Sequence, residues 1–205
     1  MDSGIRRTIL GIAAFISIVL GLFVASVVLP QKLSDEQARQ LGFFQYEVPR
    51  KLNDFSMIDN QGRNVSLESL RGRWSILFFG FTTCPDICPT TLSILSSAVK
   101  ELEPAPRVVM VSVDPDRDTP EKLNQYVPAF HQDFMGYSGT FDETVAFAQQ
   151  LNVAFGKVPG GLPGSYLVDH SASLILLNPA GEYTGFIKAP HNAQNIQKIL
   201  RSVSR

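Results

Sequence analysis

The chain has 205 residues, with 18 Lys and Arg against 19 Asp and Glu, for a formal net charge of −1 at pH 7. That balance, with no basic stripe along the sequence, excludes a nucleic-acid binder that works by neutralising phosphates. Hydrophobic residues make up 44% of the chain, and the part beyond the first 30 residues (about 175 residues) is long enough to bury one core in a single domain.

The first element is apolar. Residues 8–29 carry no charged side chain, and about 22 residues make roughly 33 Å of helix, enough for a hydrocarbon core of about 30 Å. Arg6 and Arg7 precede this stretch and Pro30 ends it. The positive-inside rule then puts residues 1–7 in the cytoplasm and everything after Pro30 on the far side. A cleaved signal peptide would have a shorter apolar region, about 7–15 residues, and a small-x-small cleavage site. An uncleaved single-pass anchor is therefore expected, and the short segment before it favours a bacterial inner membrane with the domain in the periplasm.

Residues 30–50 turn polar and read as a tether, with a capping box at Ser34 and Gln37 and a helix stop at Gly42. The folded domain is expected over 51–205. It opens with a hairpin, residues 51–58 and 63–67 around the turn at 59–62. The continuous apolar run at 75–81 reads as a central strand covered on both faces. A helix follows from Pro89 to about Leu102, and 107–113 is the next buried strand. Thr119 then caps a helix with Pro120 just inside it.

Residues 136–139 read as a short connection, 141–151 as a helix, and 156–164 as a Gly- and Pro-rich loop. A hairpin of 172–177 with 182–187, turning at 178–181, precedes a closing helix over 191–203. Strands alternating with helices make this an α/β domain with a mixed central sheet flanked by helices.

The chemistry concentrates at Cys84 and Cys88, the only cysteines, set four apart where the first buried strand gives way to a helix. A helix start carries unpaired N–H groups and partial positive charge, which favour thiolate. Thiolates serve as nucleophiles or as soft-metal ligands, so the pair can close on a disulfide or on one metal ion. A structural bridge over so short a loop would constrain the unfolded chain little, so a working pair is expected. Dithiol oxidoreductases usually carry C-x-x-C, and the extra residue here leans toward a ligand role.

A metal would need a third ligand. His170 directly precedes the 172–177 strand, and in thioredoxin-like folds the segment entering that strand faces the active cysteines. Asp169 or a nearby carbonyl could fix its tautomer. His131, near a helix C-terminus, and His191, at the start of the last helix, are expected to be a dipole partner and a solvated cap-region residue, not ligands. The acidic run at Asp114, Asp116 and Asp118 begins like a calcium loop, but Thr119 stands where Gly is needed and Gln125 where Glu is needed. It reads as a turn feeding the Thr119 helix start.

With these motifs in this order, the chain resembles the Sco (SenC-type) family of copper chaperones for cytochrome c oxidase assembly. The resemblance rests on Phe79, Gly80 and Phe81 leading into Cys84, Pro85, Asp86, Ile87, Cys88, Pro89, Thr90, Thr91 and Leu92. Val111 to Pro115 with Arg117, Asp118, Thr119 and Pro120, then Asp169, His170 and Ser171, and the apolar N-terminus reinforce it. It covers roughly residues 52–200.

The resemblance implies a thioredoxin-like fold behind one N-terminal transmembrane helix, with one copper ion, Cu(I) or Cu(II), on Cys84, Cys88 and His170. It further implies a copper donor protein as partner and the binuclear copper centre of oxidase subunit two as target. Thr83 stands where many members carry a histidine, and the loop before Tyr166 is short and glycine-rich. Both departures bear on affinity or partner contact. Two other activities fit a cysteine pair on this fold. One is a thiol–disulfide oxidoreductase with Cys84 attacking and Cys88 resolving; the other, weaker, is a peroxide-scavenging enzyme.

Overall fold

The computed structural model describes residues 3–28, 33–161 and 165–204. Its first element is α1 (Ser3–Val28), within which Gly4–Val24 is long and apolar enough to cross a membrane. Leu29 and Pro30, where the sequence ends the apolar stretch, lie outside the described residues. A short helix α2 (Asp35–Gln40) follows, and its capping box forms as the sequence suggests. The Gln37 N–H donates to Ser34 Oγ at 3.2 Å, and the Ser34 N–H donates to Gln37 Oε1 at 3.0 Å. Gly42, at φ +85°, turns the chain out of this helix in a conformation that only glycine adopts without strain.

The remaining elements are β1 (Phe43–Arg50), β2 (Met57–Asp59), β3 (Asn64–Val65), β4 (Ser75–Gly80), α3 (Ile87–Val99), β5 (Arg107–Ser112) and α4 (Pro120–Tyr126). They continue with β6 (Met135–Ser138), α5 (Phe141–Gln150), β7 (Phe155–Pro159), β8 (Tyr166–His170), β9 (Leu174–Leu177), β10 (Tyr183–Ile187) and α6 (Ala193–Val203). Eight strands form one sheet in the order β1-β10-β9-β4-β5-β6-β2-β3, while β7 and β8 pair as a separate ribbon. The centre is β4, parallel to β5 and antiparallel to β9, and all six of its residues are buried. Successive side chains leave a strand on opposite faces. Phe79 accordingly meets Phe147 of α5, with ring centroids 6.0 Å apart, while Phe78 and Gly80 face Cys88 of α3. The helices α3 and α6 pack against each other.

The structure corrects three sequence expectations. The segment read as a tether contains β1, an edge strand of the main sheet antiparallel to β10, with Phe43 buried. The short connection around Gly136 contains β6, which pairs with β5 and β2. The loop expected over 156–164 instead begins with β7, and the segment before the 172–177 strand is its partner β8. The last three residues of that expected loop, Leu162, Pro163 and Gly164, lie outside the described residues. In the opening hairpin the strands are shorter than expected, at 57–59 and 64–65, but the turn falls between them as read.

Burial of Phe43 gives β1 an energetic weight that a tether would lack. Phe43→Ala is expected to lower unfolding free energy in urea by about 3–5 kcal/mol, the usual cost of emptying a buried phenylalanine site. A loss below about 1 kcal/mol would return residues 43–50 to the role of a tether.

Candidate metal centre

The site lies where β4 and β5 end. Their parallel ladder runs in register from Ser75 opposite Arg107 to Gly80 opposite Ser112, and the Val113 N–H continues it by donating to Gly80 O at 3.0 Å. The carboxyl ends of adjacent parallel strands are the usual place for function in an open α/β sheet. Cys84 sits in the turn after β4, with its N–H donating to Phe81 O at 3.2 Å. Helix α3 begins only at Ile87, so Cys84 precedes it and Cys88 lies in its first turn. The two cysteines therefore do not share a helix face by spacing. The helix N-terminus reaches Cys84 directly instead, because the Cys88 N–H donates to Cys84 Sγ at 3.5 Å. The exposed N-cap residue Asp86 makes no side-chain cap, leaving that place to the sulfur.

Gly80 sets the spacing behind Cys88. A Cβ at residue 80 would stand 2.8 Å from the Phe78 ring and 3.0 Å from Cys88 Sγ, so any side chain there would force the ring or the sulfur to shift. Cys88 is fully buried and Cys84 is half-buried. Burial is the leading cause that pushes the Cys88 thiol far above its ordinary range, and the Cys84 sulfur adds to it.

His170, at the last position of β8, points its Nε2 at Cys88 Sγ across 3.6 Å. Its Nδ1 faces Ser171 O at 3.2 Å. Nδ1 donates to that carbonyl, which leaves the Nε2 lone pair toward the sulfurs. The carbonyl of Ser171, not the exposed carboxylate of Asp169, thus fixes the tautomer. Phe78 and Phe81 meet the imidazole edge-on, with centroids 6.1 and 5.9 Å away. Burial lowers the His170 pKa and favours the neutral ring that a metal binds.

The three donor atoms of Cys84, Cys88 and His170 lie within 4.8 Å of one another, the one such group among the described residues. Metal bonds of about 2.0–2.3 Å put trigonal donors roughly 3.5–4 Å apart. Cys88 and His170 already stand at that separation, 3.6 Å apart, and no pair of the three donor atoms is wider than 4.8 Å. Two thiolates and an imidazole are soft donors suited to Cu(I) or zinc. A structural zinc site takes four ligands, whereas this cluster leaves one position open.

The other two histidines stand apart from the cluster. His131 accepts the Asp133 N–H on Nδ1 at 3.3 Å and stacks on Phe134. His191 is not solvated as expected: it is half-buried, with Nε2 2.7 Å from Ala172 O. The sequence also assigned the acidic run no part in the site, yet Asp118 is fully buried and braces the cysteine turn. It accepts the Thr82 N–H at 3.1 Å, the Thr82 hydroxyl at 2.5 Å and the Ser112 hydroxyl at 2.7 Å. Burial raises its pKa against the pull of these donors. The signal available in the sequence was a dense set of charges directly after a strand with an apolar, buried middle, a place where a carboxylate is held by partners or not tolerated.

A mixed α/β domain that gathers two sulfurs and an imidazole at the end of its central sheet is, by class, a thioredoxin-like soft-metal-binding protein. Residues 45–205 match the SCO1/SenC family, and the chain belongs to it. It is 36% identical over 159 residues to a putative copper-binding protein of Stutzerimonas stutzeri, covering 75% of this chain and 77% of that protein. It is 35% identical over 153 residues to the human mitochondrial SCO2 homolog, covering 72% of this chain and 58% of the human protein. Arabidopsis thaliana ScoI with copper bound superposes with a TM-score of 0.69 at 35% identity, over 73% of this chain and 94% of that one. The Arabidopsis protein holds copper, and the cluster in this chain has the donor set for it.

The unequal burial of the cysteines has a chemical consequence. The thiolate is the nucleophile, so Cys84 is expected to react with iodoacetamide at pH 8 at least about tenfold faster than Cys88. Peptide mapping by mass spectrometry reads the two rates. Equal rates would contradict the burial of Cys88.

Proposed function

We propose that the chain is a membrane-anchored metallochaperone that carries one copper ion on Cys84, Cys88 and His170. In this reading it delivers the ion to, or matures, the binuclear copper centre of cytochrome c oxidase subunit two, after loading by a copper donor protein. The observation that carries the proposal is the convergence of three soft donors within 4.8 Å. A tight, closed site would suit a structural ion, while three ligands and an open fourth position suit transfer by ligand exchange. The half-exposed Cys84 and the exposed Ile87, next to Cys88 in sequence, support an approach by a partner along this edge. The apolar length of α1 and the arginines at its start support a single span of the inner membrane, with the domain in the periplasm.

A second reading has its own support. Cys84 is the more exposed sulfur and accepts a helix N-terminal N–H, while Cys88 is buried behind it. An attacking and a resolving cysteine would be arranged this way in a thiol–disulfide oxidoreductase that reduces a partner's metal-binding cysteines. The histidine separates the two readings, because disulfide exchange needs no third ligand.

The test is a Cu(I) titration of the reduced full chain in detergent against a competing chelator, beside His170→Ala. One copper per chain is expected, weakened in the variant by about 10–100-fold or more. Disulfide exchange with a small thiol is expected to stay largely intact in His170→Ala. Copper binding indifferent to His170 would favour the reductase.

A further inference from the structure

His170 reaches the cysteines from a hairpin that is not a strand of the main sheet: β7 and β8 pair only with each other. Their register sets Phe155 opposite His170, Lys157 opposite Val168 and Pro159 opposite Tyr166. With a period of two, Tyr166, Val168 and His170 share the inward face, while Leu167 and Asp169 are exposed on the other. A one-residue slip would turn the imidazole away from the sulfurs. What fastens the hairpin therefore determines whether His170 is in place.

The fastening runs to the segment between β5 and α4. The Tyr166 hydroxyl donates to Asp114 Oδ1 at 2.8 Å, and Arg117 Nη1 donates to the Tyr166 carbonyl at 3.1 Å. The Arg117 guanidinium lies 3.9 Å from the centre of the Tyr166 ring, and its Nε donates to Asp114 Oδ2. Lys157 extends the grip, with its ammonium 4.6 Å from the same ring and donating to Asp116 Oδ2 at 2.7 Å. The segment that carries Asp114, Asp116 and Arg117 continues to Asp118, which holds Thr82 and the cysteine turn. One short segment thus grips both halves of the site, the sulfurs through Asp118 and the imidazole through Arg117 and Tyr166.

We propose that Tyr166 and Arg117 are positioning residues for His170. Together with Asp114 they fix the height and register of the hairpin over the cysteine turn, so that Nε2 stands at coordinating distance from Cys88. The inference rests on the reading that Cys84, Cys88 and His170 take copper. Tyrosine and arginine are both needed. The ring supplies a flat face and a hydroxyl donor, and the guanidinium stacks on that face while donating in two directions, which a lysine ammonium cannot reproduce. The proposal routes the effect of Tyr166 on copper through the histidine and not through the Asp118 contacts to the cysteine turn, which gives it its distinguishing test.

The experiment is a double-mutant cycle on the full chain in detergent. Tyr166→Phe, Tyr166→Ala and Arg117→Lys are each made in the wild-type and His170→Ala backgrounds and titrated with Cu(I) against a chelator. The electronic and electron-paramagnetic-resonance spectra of the Cu(II) forms are recorded alongside. Tyr166→Ala and Arg117→Lys are expected to weaken copper by about tenfold and shift the Cu(II) spectra toward those of His170→Ala. Tyr166→Phe keeps the stacked ring and is expected to fall between these and wild type, so it remains informative if Tyr166→Ala unfolds.

In the His170→Ala background none of the three is expected to change affinity further. Without copper, hydrogen exchange of the β7 and β8 amides is expected to quicken in Tyr166→Ala while the β4 and β5 amides keep their protection. Wild-type affinity and spectra in either Tyr166→Ala or Arg117→Lys would overturn the proposal, as would an equal loss with and without His170. If His170→Ala itself binds copper as wild type does, the ligand assignment fails and takes the inference with it.

Discussion

The ladder between β4 and β5 is the constraint on which the rest of the site depends. It keeps Gly80 beside Ser112 and so delivers two loops to one edge of the sheet, the cysteine turn after β4 and the acidic segment after β5. Both strands are buried almost throughout, so a slip between them would move a set of apolar side chains at once. On that fixed edge a few polar bonds do the fine placement. Asp118 draws in both the backbone and the hydroxyl of Thr82, two residues before the first sulfur. The absent side chain at Gly80 leaves the space in which the second sulfur sits.

The two halves of the site are held differently. The sulfurs belong to the sheet and to the start of α3, among buried side chains. The imidazole belongs to a separate ribbon, held by a tyrosine, an arginine and a lysine against two aspartates. Partly exposed polar contacts of that kind open at lower free energy than a packed core strand. In the proposed carrier role the ion must be held and then given up, and a site with two firmly seated sulfurs and an imidazole on a separate ribbon would suit that need. The ring of Phe81 touches both arrangements, meeting His170 edge-on and lying 5.8 Å from the Arg117 guanidinium.

Much of this was legible in the sequence, for identifiable reasons. The apolar runs that became β4 and β5, the Thr119-Pro120 start of α4 and the cysteine pair at a strand-to-helix junction are local signals, and each was realised close to its expected place. His170 stood out because it lies shortly before a strong strand in a chain that also carries a cysteine pair, although it ends β8 and that strand begins only at Leu174. The elements that sequence reasoning missed are those defined by distant partners. The β1 strand carries Pro49 and has exposed residues through most of its length, and only its pairing with β10 makes it a strand. The β7 strand reads as a loop because Gly156 and Pro159 break the pattern, and only β8 opposite it gives it form. The role of Asp118 was hidden for the same reason: the run reads locally as a turn feeding the Thr119 helix start, and its partner Thr82 lies 36 residues away.

The central claim is that one copper ion is shared by two sulfurs from the sheet edge and one nitrogen from the ribbon. Copper-edge X-ray absorption on the full chain, loaded with one equivalent of Cu(I), counts those scatterers directly. The structure leads us to expect two sulfur ligands and one imidazole nitrogen, with the nitrogen lost and the sulfurs kept in His170→Ala. A first shell of two sulfurs alone in the unsubstituted chain, or a nitrogen that survives His170→Ala, would contradict the account.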